Sequence, residues 1–353
     1  MVFFEGIMRW VVPAAALAAL VSFFAAFTVR ALAKKAKVLR YPGSRHLHAK
    51  PTPLWGGIAI AAVFLAGIAL HPDLVLTPAI IAAAIGFFLL VIMGMVDDVI
   101  SLPWWVEFFG QGLAAAIVVA GGASLEYVNN PFGGAIDMSF LRIANPFLDC
   151  GGAPCTIPVL GALVTVVWIV GVINAVNWFD GSDGVAATIS ILALAALAAL
   201  SLRADVMQPA IAILSALALG GALGFLPFNL PPAKLFLGTS GSMGLGFLIA
   251  SLAVMAGAKV ATVGLVLAVP ATDMAFVLFL RLKAGVPVVL PDTRHLHFWM
   301  KARQWDSWRI LGFFAACSLL FALAAVLLPH PLKALGMFAG VATLFAWFWK
   351  TRL

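Results

Sequence analysis

Apolar runs recur along the whole chain, at roughly 10–29, 56–70, 75–96, 104–122, 158–174, 184–201, 207–224, 243–257, 259–280, 309–328 and 332–349. A bilayer core is crossed by a helix of about 20 apolar residues, and the shorter runs fall only a few residues below that. Runs 243–257 and 259–280 are parted only by Lys259 and its neighbours, so the count is ten or eleven. In hydrocarbon every backbone N–H and C=O must be satisfied internally, which makes each run a helix. Composition excludes the alternatives. Only 10% of the 353 residues are charged and 64% are hydrophobic, against about 25% charged in a soluble domain. A soluble enzyme, a disordered chain and a nucleic-acid-binding domain are ruled out, despite a net charge of +7. The expected fold is an all-α polytopic membrane protein, with residues 1–353 forming one integral membrane domain.

Lys and Arg orient such a chain, because basic loops stay on the cytoplasmic side. The loop after the first run carries Arg30, Lys34, Lys35, Lys37, Arg40, Arg45 and Lys50. Taking it as inside and alternating through eleven spans leaves only Arg9, Arg142, Arg203, Lys259 and Lys333 outside. The expected topology is N-terminus out and C-terminus in. Residues 123–157 then form the longest external loop, and 281–308 a long cytoplasmic loop. Within the external loop, Ser124–Asn130 and Ala135–Leu141 flank Asn-Pro-Phe-Gly-Gly, which predicts a small β-hairpin. Cys150 and Cys155 lie in the same loop, where either a disulfide or two free thiols is admissible.

Four polar clusters fall on the predicted inner face. Asp97-Asp98 closes the third run. Adjacent carboxylates there are costly, and a hard cation or a shared proton relieves the cost; two solvated loop acids are the plainer alternative. The second cluster runs from Asn174 through Asn177, Trp178 and Asp180 to Asp183-Gly184. Asn174 and Asn177 share a helix face, and the glycines open backbone N–H groups to a ligand. A polar turn with Asp183 as the next helix's N-cap explains only part of it. The third, Phe228 to Ser242, has Gly238, Thr239, Ser240 and Gly241 in an arrangement suited to an anion at a helix N-terminus, with Lys234 its only formal charge. The fourth is a repeated string: Arg45-His46-Leu47-His48 and Arg294-His295-Leu296-His297. The i, i+2 spacing suits an extended segment with both rings on one side. Asp273, deep in the ninth run, is a functional candidate or a partner for backbone freed by Pro270; Glu107 reads as a first-turn helix acid.

Taken in this order, the clusters resemble the polyprenyl-phosphate N-acetylhexosamine-1-phosphate transferases, glycosyltransferase family 4. The resemblance spans Pro42 to about Met300. Arg45 to His48 with Pro51-Thr52-Pro53 and Gly56-Gly57 is similar to the family's first loop, and Asp97-Asp98 to its aspartate pair. Asn174 to Gly184 resembles its Asn-x-x-Asn-x-x-Asp-Gly-x-Asp-Gly motif, Phe228 to Ser242 its glycine-rich loop, and His295-Leu296-His297 its histidine motif. The single His-Leu-His is closer to the undecaprenyl-phosphate N-acetylglucosamine-1-phosphate transferases than to the phospho-N-acetylmuramoyl-pentapeptide translocases. Thr239 stands where the family usually has a metal-binding Asp, Phe298 where it has a further His, and no Asp stands near Arg40.

The resemblance implies transfer of a HexNAc-1-phosphate from a UDP-sugar to polyprenyl (undecaprenyl) phosphate, with release of UMP. This would open lipid-linked synthesis of a cell-envelope glycan such as O-antigen or teichoic acid, in the bacterial inner membrane with the site on its cytoplasmic face. It implies Mg²⁺, or Mn²⁺, on Asp97, Asp98 and Asp180, with Thr239 adding a hydroxyl or a bound water. Asp97, Asp98 and Asp180 would be catalytic. Asn174, Asn177, Asp183, Lys234, Arg294, His295, His297, Arg45 and His48 would bind substrate. A homodimer is what the family suggests. A non-catalytic UDP-sugar-binding paralogue and a lipid-linked-sugar flippase or transporter are the other classes the residues admit.

Overall fold

The computed structural model describes residues 2–41, 50–129, 134–150, 153–257, 259–287, 294–328 and 330–352. In chain order it contains α1 (Val2–Lys35), β1 (Leu39–Arg40), β2 (Thr52–Pro53), α2 (Gly56–Leu70), α3 (Pro78–Ile100) and α4 (Trp104–Ala120). Next come β3 (Tyr127–Asn129), β4 (Ala135–Asp137), β5 (Arg142–Cys150), β6 (Ala153–Pro158), α5 (Val159–Phe179), α6 (Val185–Ser201) and α7 (Pro209–Asn229). The chain ends with α8 (Gly238–Met255), α9 (Val260–Val266), α10 (Ala268–Lys283), α11 (Leu296–Ala302), α12 (Ser307–Leu327) and α13 (His330–Arg352). Every apolar run of the sequence is helical. Among the described residues six helices are long and apolar enough to cross a membrane, seven if α9 and α10 count as one broken span; α2, α4 and α6 are shorter apolar helices. The molecule is a multi-pass membrane protein.

Helix α8 sits at the centre. Almost every residue from Gly238 to Val254 is buried, and α3, α5 and α2 pack on it. Its small residues permit this. A Cβ on Gly57 would strike the backbone of Gly241, and one on Gly94 the backbone of Ser240. Helices α2 and α3 thus approach the first turn of α8 at van der Waals distance, the small-residue contact favoured between membrane helices. By contrast α1, α3 and α12 expose rows of large apolar side chains such as Leu17, Phe24, Ile85, Phe88 and Leu320. Such rows are the surface a lipid-facing helix presents.

The ninth apolar run is not one helix. The chain bends by 77° between α9 and α10. Pro270 stands in the first turn of α10, where it has no N–H to give to Val266, which favours a break just before it. The predicted hairpin is present as β3–β4, antiparallel with Val128 opposite Ile136. A second antiparallel pair, β5–β6, was not expected from the sequence; it is closed at its tip by a Cys150–Cys155 disulfide with Cα atoms 5.5 Å apart. Both pairs lie at the end of the bundle where α3, α5 and α7 begin. The polar clusters lie at the opposite end, where those helices finish and where α2, α4, α6 and α8 start.

Candidate active site

The site is organised by the first turn of α8. Gly238 adopts φ +74, and Asp98 Oδ2 stands 2.5 Å from where its Cβ would be, so only glycine fits there. From the last turn of α3, Asp98 Oδ1 accepts the N–H of Thr239 at 2.9 Å and Oδ2 the hydroxyl of Ser240 at 3.3 Å. Asp97 Oδ2 accepts the Thr239 hydroxyl at 2.7 Å, and its Oδ1 accepts the N–H of Leu102 at 2.7 Å. The glycine-rich turn was expected to offer its N–H groups to an external anion. The anion at this helix N-terminus is the protein's own Asp98, placed there because α3 ends against α8 at Gly94.

Helix α5 ends on the other side of α8. Its Asn177 Oδ1 accepts the hydroxyl of buried Ser242 at 2.6 Å. One turn earlier, Asn174 donates to Gln111 Oε1 of α4 at 2.6 Å and to its own helix at Val170. Asn174 and Asn177 both lie on α5, three residues apart, and each meets a different neighbouring helix. Asp180 closes α5 with its carboxyl in the field of the Gly238 N–H, so Asp98 and Asp180 flank the same glycine. Desolvation pushes the Asp180 carboxyl well above the usual range. Arg40 and the Gly238 N–H pull it down, while Asp98 and Asp183 push it up further.

Arg40 is the positive charge acting on both Asp98 and Asp180. It was read from the sequence only as a topology marker. Its position comes from the two-residue pairing of β1 with β2, in which Arg40 faces Thr52. That ribbon continues onto the α8 loop, where Phe236 N–H donates to Pro53 C=O and Gly56 and Gly57 donate back to Phe236 and Leu237. Arg45 and His48, between the two strands, lie outside the described residues.

Asp183 does not cap α6. Gly184 holds the N-cap position, and Asp183 Oδ2 instead accepts the N–H of Ala233 at 3.0 Å. Buried Asn229 reinforces that contact between loops, accepting from Gly184 N–H and donating to Leu235 C=O. Lys234 is exposed beside Ala233, at the rim of the cluster.

The histidine string is not extended. His295 is the N-cap of α11 and His297 lies in its first turn, yet the two rings are parallel, 5° apart in plane with centroids 6.0 Å apart. His295 Nδ1 contacts buried Asp273 Oδ2 at 2.8 Å, and Leu296 N–H donates to Oδ1 at 2.9 Å. Asp273 therefore serves this string rather than backbone freed by Pro270. The other edge of the pair meets the end of α5. Trp178 lies against His295, Phe179 against His297, and a Cβ on Gly181 would strike His297 Nε2. Arg281, two turns beyond Asp273, stacks its guanidinium 5.5 Å from the Trp178 ring. Arg294 is exposed just ahead of the pair.

Gln111 and Arg281 were missed in the sequence, and Ser240, Ser242 and Asn229 stood out only as members of the third cluster, not as the partners of Asp98, Asn177 and Gly184. All five are polar groups buried in the bundle. Gln111 is the one that could have been found, as a lone amide within the apolar run 104–122. Among the described residues no three carboxylates or imidazoles converge at metal-ligand distance. The groups nearest one another are all oxygen donors with net negative charge, namely Asp97, Asp98, Asp180 and the Thr239 hydroxyl.

The model of glycosyl transferase family 4 matches residues 80–257, just over half of the chain, from the first turn of α3 to the end of α8. The decaprenyl-phosphate N-acetylglucosaminephosphotransferase of Mycobacterium tuberculosis is 30% identical over 304 residues, covering 79% of this chain and 73% of the relative. A probable undecaprenyl-phosphate N-acetylglucosaminyl 1-phosphate transferase of Bacillus subtilis is 27% identical over 276 residues, covering 76% and 71%. A phospho-N-acetylmuramoyl-pentapeptide-transferase of Halalkalibacterium halodurans is similar over only 120 residues, at 33% identity and 33% and 36% coverage. With the aspartate pair, the Asn174–Gly184 motif and the glycine-rich turn all gathered at one end of the bundle, the chain belongs to glycosyl transferase family 4.

Proposed function

We propose that this protein transfers an N-acetylhexosamine 1-phosphate, with N-acetylglucosamine the first candidate, from its UDP-sugar to a polyprenyl phosphate. The observation that carries the reading is the convergence on one helix turn of Asp97, Asp98, Asp180 and Asn177, from two other helices. An oxygen of the lipid phosphate forms a bond to the β-phosphorus of the UDP-sugar as the bond to the bridging oxygen breaks, and UMP leaves. The reaction needs a lipid-soluble and a water-soluble reactant at one membrane face, and the polar end of an otherwise apolar bundle meets that need. The Lys and Arg distribution favours eleven spans, N-terminus out, with this end in the cytoplasm of a bacterial inner membrane.

Phosphoryl transfer is governed by alignment and charge neutralisation. Asp97 and Asp98 orient the lipid phosphate and accept its proton when it arrives protonated. Asp180, beside them, faces the diphosphate. Arg40 offsets the charge of Asp98 and Asp180 while the site is empty of substrate and is a donor for phosphate when substrate enters. Asn174, Asn177 and Asp183 contact the uridine or sugar, Arg294, His295 and His297 the sugar or phosphates, and Lys234 the phosphates at the rim. The donors are all oxygen, the chemistry Mg²⁺ or Mn²⁺ takes; Asp97, Asp98 and Asp180 would hold the ion, with Thr239 adding its hydroxyl, and this requires the three acids to draw closer than they stand here. When bound, such a cation neutralises the diphosphate charge.

Purified protein given undecaprenyl phosphate, UDP-N-acetylglucosamine and Mg²⁺ should release UMP, and Asp97→Asn or Asp180→Asn should lower the release by on the order of 10²–10³-fold. No UMP from any UDP-sugar in a panel, with the protein folded, would overturn the enzyme reading. Thr239 supports a second reading, a paralogue that binds the sugar nucleotide without turnover. Nucleotide binding without UMP release would select it.

A further inference from the structure

Asp273 is fully buried, in a helix of an apolar bundle, 22 residues before the imidazole it touches. Both carboxylate oxygens are engaged, Oδ2 by His295 Nδ1 and Oδ1 by the Leu296 N–H. A carboxylate only accepts hydrogen bonds, so the 2.8 Å contact places the ring proton on Nδ1. The other nitrogen, Nε2, is then the lone-pair end. The ring is held in its plane by Trp178 on one side and by the parallel ring of His297 on another. Trp178 immediately follows Asn177 and precedes Asp180 by two residues, and His297 lies beneath Gly181. The pair is thus oriented by a residue on α10 and delivered to the end of α5.

We propose that Asp273 is a positioning residue of the active site. It locks His295 in the Nδ1–H tautomer, so that Nε2 accepts a hydrogen bond from a hydroxyl of the sugar nucleotide. This rests on the transferase reading above. The arrangement is the carboxylate–histidine pairing by which an acid of no direct chemical role selects which nitrogen faces the ligand. Helix α10 can supply the acid because the chain breaks at Leu267; the bend of 77° sets α10 at its own angle to α9.

Asp273→Asn is nearly isosteric and makes a directed test. The Leu296 N–H claims the amide oxygen, so the amide NH₂ faces His295 Nδ1 and donates to it. The ring proton moves to Nε2, which turns from acceptor to donor. The expected result is a rise of about tenfold in KM for the UDP-sugar, with KM for the polyprenyl phosphate unchanged. In a His295→Gln background the same substitution should change KM for the UDP-sugar less than about twofold, because the two residues act as one unit. A merely structural acid would lower the yield of folded protein or move both KM values, and its effect would persist in the His295→Gln background; either result overturns the proposal.

The tautomer can also be read without turnover. In ¹⁵N-histidine-labelled wild-type protein, the signal that disappears in His295→Gln identifies His295. Its shifts should show a protonated Nδ1 and an unprotonated Nε2, and a protonated Nε2 with a bare Nδ1 overturns the proposal. If wild-type protein releases no UMP but His295 shows the Nδ1–H form, the transferase reading fails and the pairing stands. If UMP is released and the tautomer is inverted, the reverse holds.

Discussion

The two ends of the bundle use their polar residues differently. At the hairpin end the ion pairs and the disulfide are local: Arg142 with Glu126, 16 residues away, Arg203 with Asp205, two away, and Cys150 with Cys155, five away. At the aspartate end the side-chain contacts that join one helix to another are remote. Thr239 binds Asp97 and Asp98 across 142 and 141 residues, Ser242 binds Asn177 across 65, and Asn174 binds Gln111 across 63. Local pairs stiffen a loop, and an exposed pair contributes little, about 0–1 kcal/mol. Remote pairs fix how helices meet, and they place four acidic or amide side chains around one helix turn. The first end reads as packing and closure, the second as a reaction site.

The largest effect should come from removing charge at the remote end. Asp98→Asn or Asp180→Asn should lower UMP release by on the order of 10²–10³-fold, with the thermal unfolding temperature little changed. An equal loss from Arg142→Ala, at the other end, would erase the distinction between the two.

Next is the close approach of α3 to α8. Gly94→Val puts a branched side chain into the Ser240 backbone. It should destabilise the protein by about 1–3 kcal/mol and abolish UMP release, seen by thermal unfolding and activity together. A folded and active variant would mean that the first turn of α8 is not held by this contact.

Thr239→Asp sharpens the account of the metal site. It replaces the donor to Asp97 by a carboxylate, adding repulsion that a cation relieves. The Mg²⁺ concentration for half-maximal UMP release should fall, and the unfolding temperature in chelator should fall with it. An unchanged Mg²⁺ midpoint would separate Thr239 from metal binding.

The smallest effect belongs to the hairpin end. Cys150→Ser with Cys155→Ser should cost at most about 2 kcal/mol, since the disulfide closes a very short loop. It should leave UMP release within about twofold of wild type. A large loss of activity would show that the hairpins are coupled to the site.

Much of the helical skeleton was readable in advance because apolar runs in a bilayer leave the backbone one option. The β3–β4 hairpin was readable from Asn-Pro-Phe-Gly-Gly between alternating strands. The β5–β6 pair was not, since Arg142–Cys150 carries Asn-Pro in its middle, which breaks the strand pattern, although its partner β6 follows after only two residues. Asp97, Asp98, Asn177 and Asp180 stood out as polar residues at the ends of apolar runs. Their partners did not. Ser240 and Ser242 look like ordinary small residues of a glycine-rich turn, and Arg40 is one of seven basic residues in its loop. The alternative of Asp183 as a helix cap fails because the donor it meets, Ala233 N–H, is 50 residues away. The histidine string was misread because an i, i+2 pattern cannot register that α11 begins between the two rings.

The sequence by itself determined that the chain is a bundle of apolar helices, and where its scarce charges lie along it. Scarcity is the physical reason: in a chain with 10% charged residues, each acid outside water needs a purpose or a partner. Only the tertiary structure decided which partner. Asp98 occupies the N-terminus of α8, Asp180 reaches the same glycine from α5, and Asp273 turns out to belong to His295. Helix packing made those choices, through Gly57 and Gly94, which let neighbouring backbones close on α8, and through the break at Leu267, which freed α10 to lie beside the site.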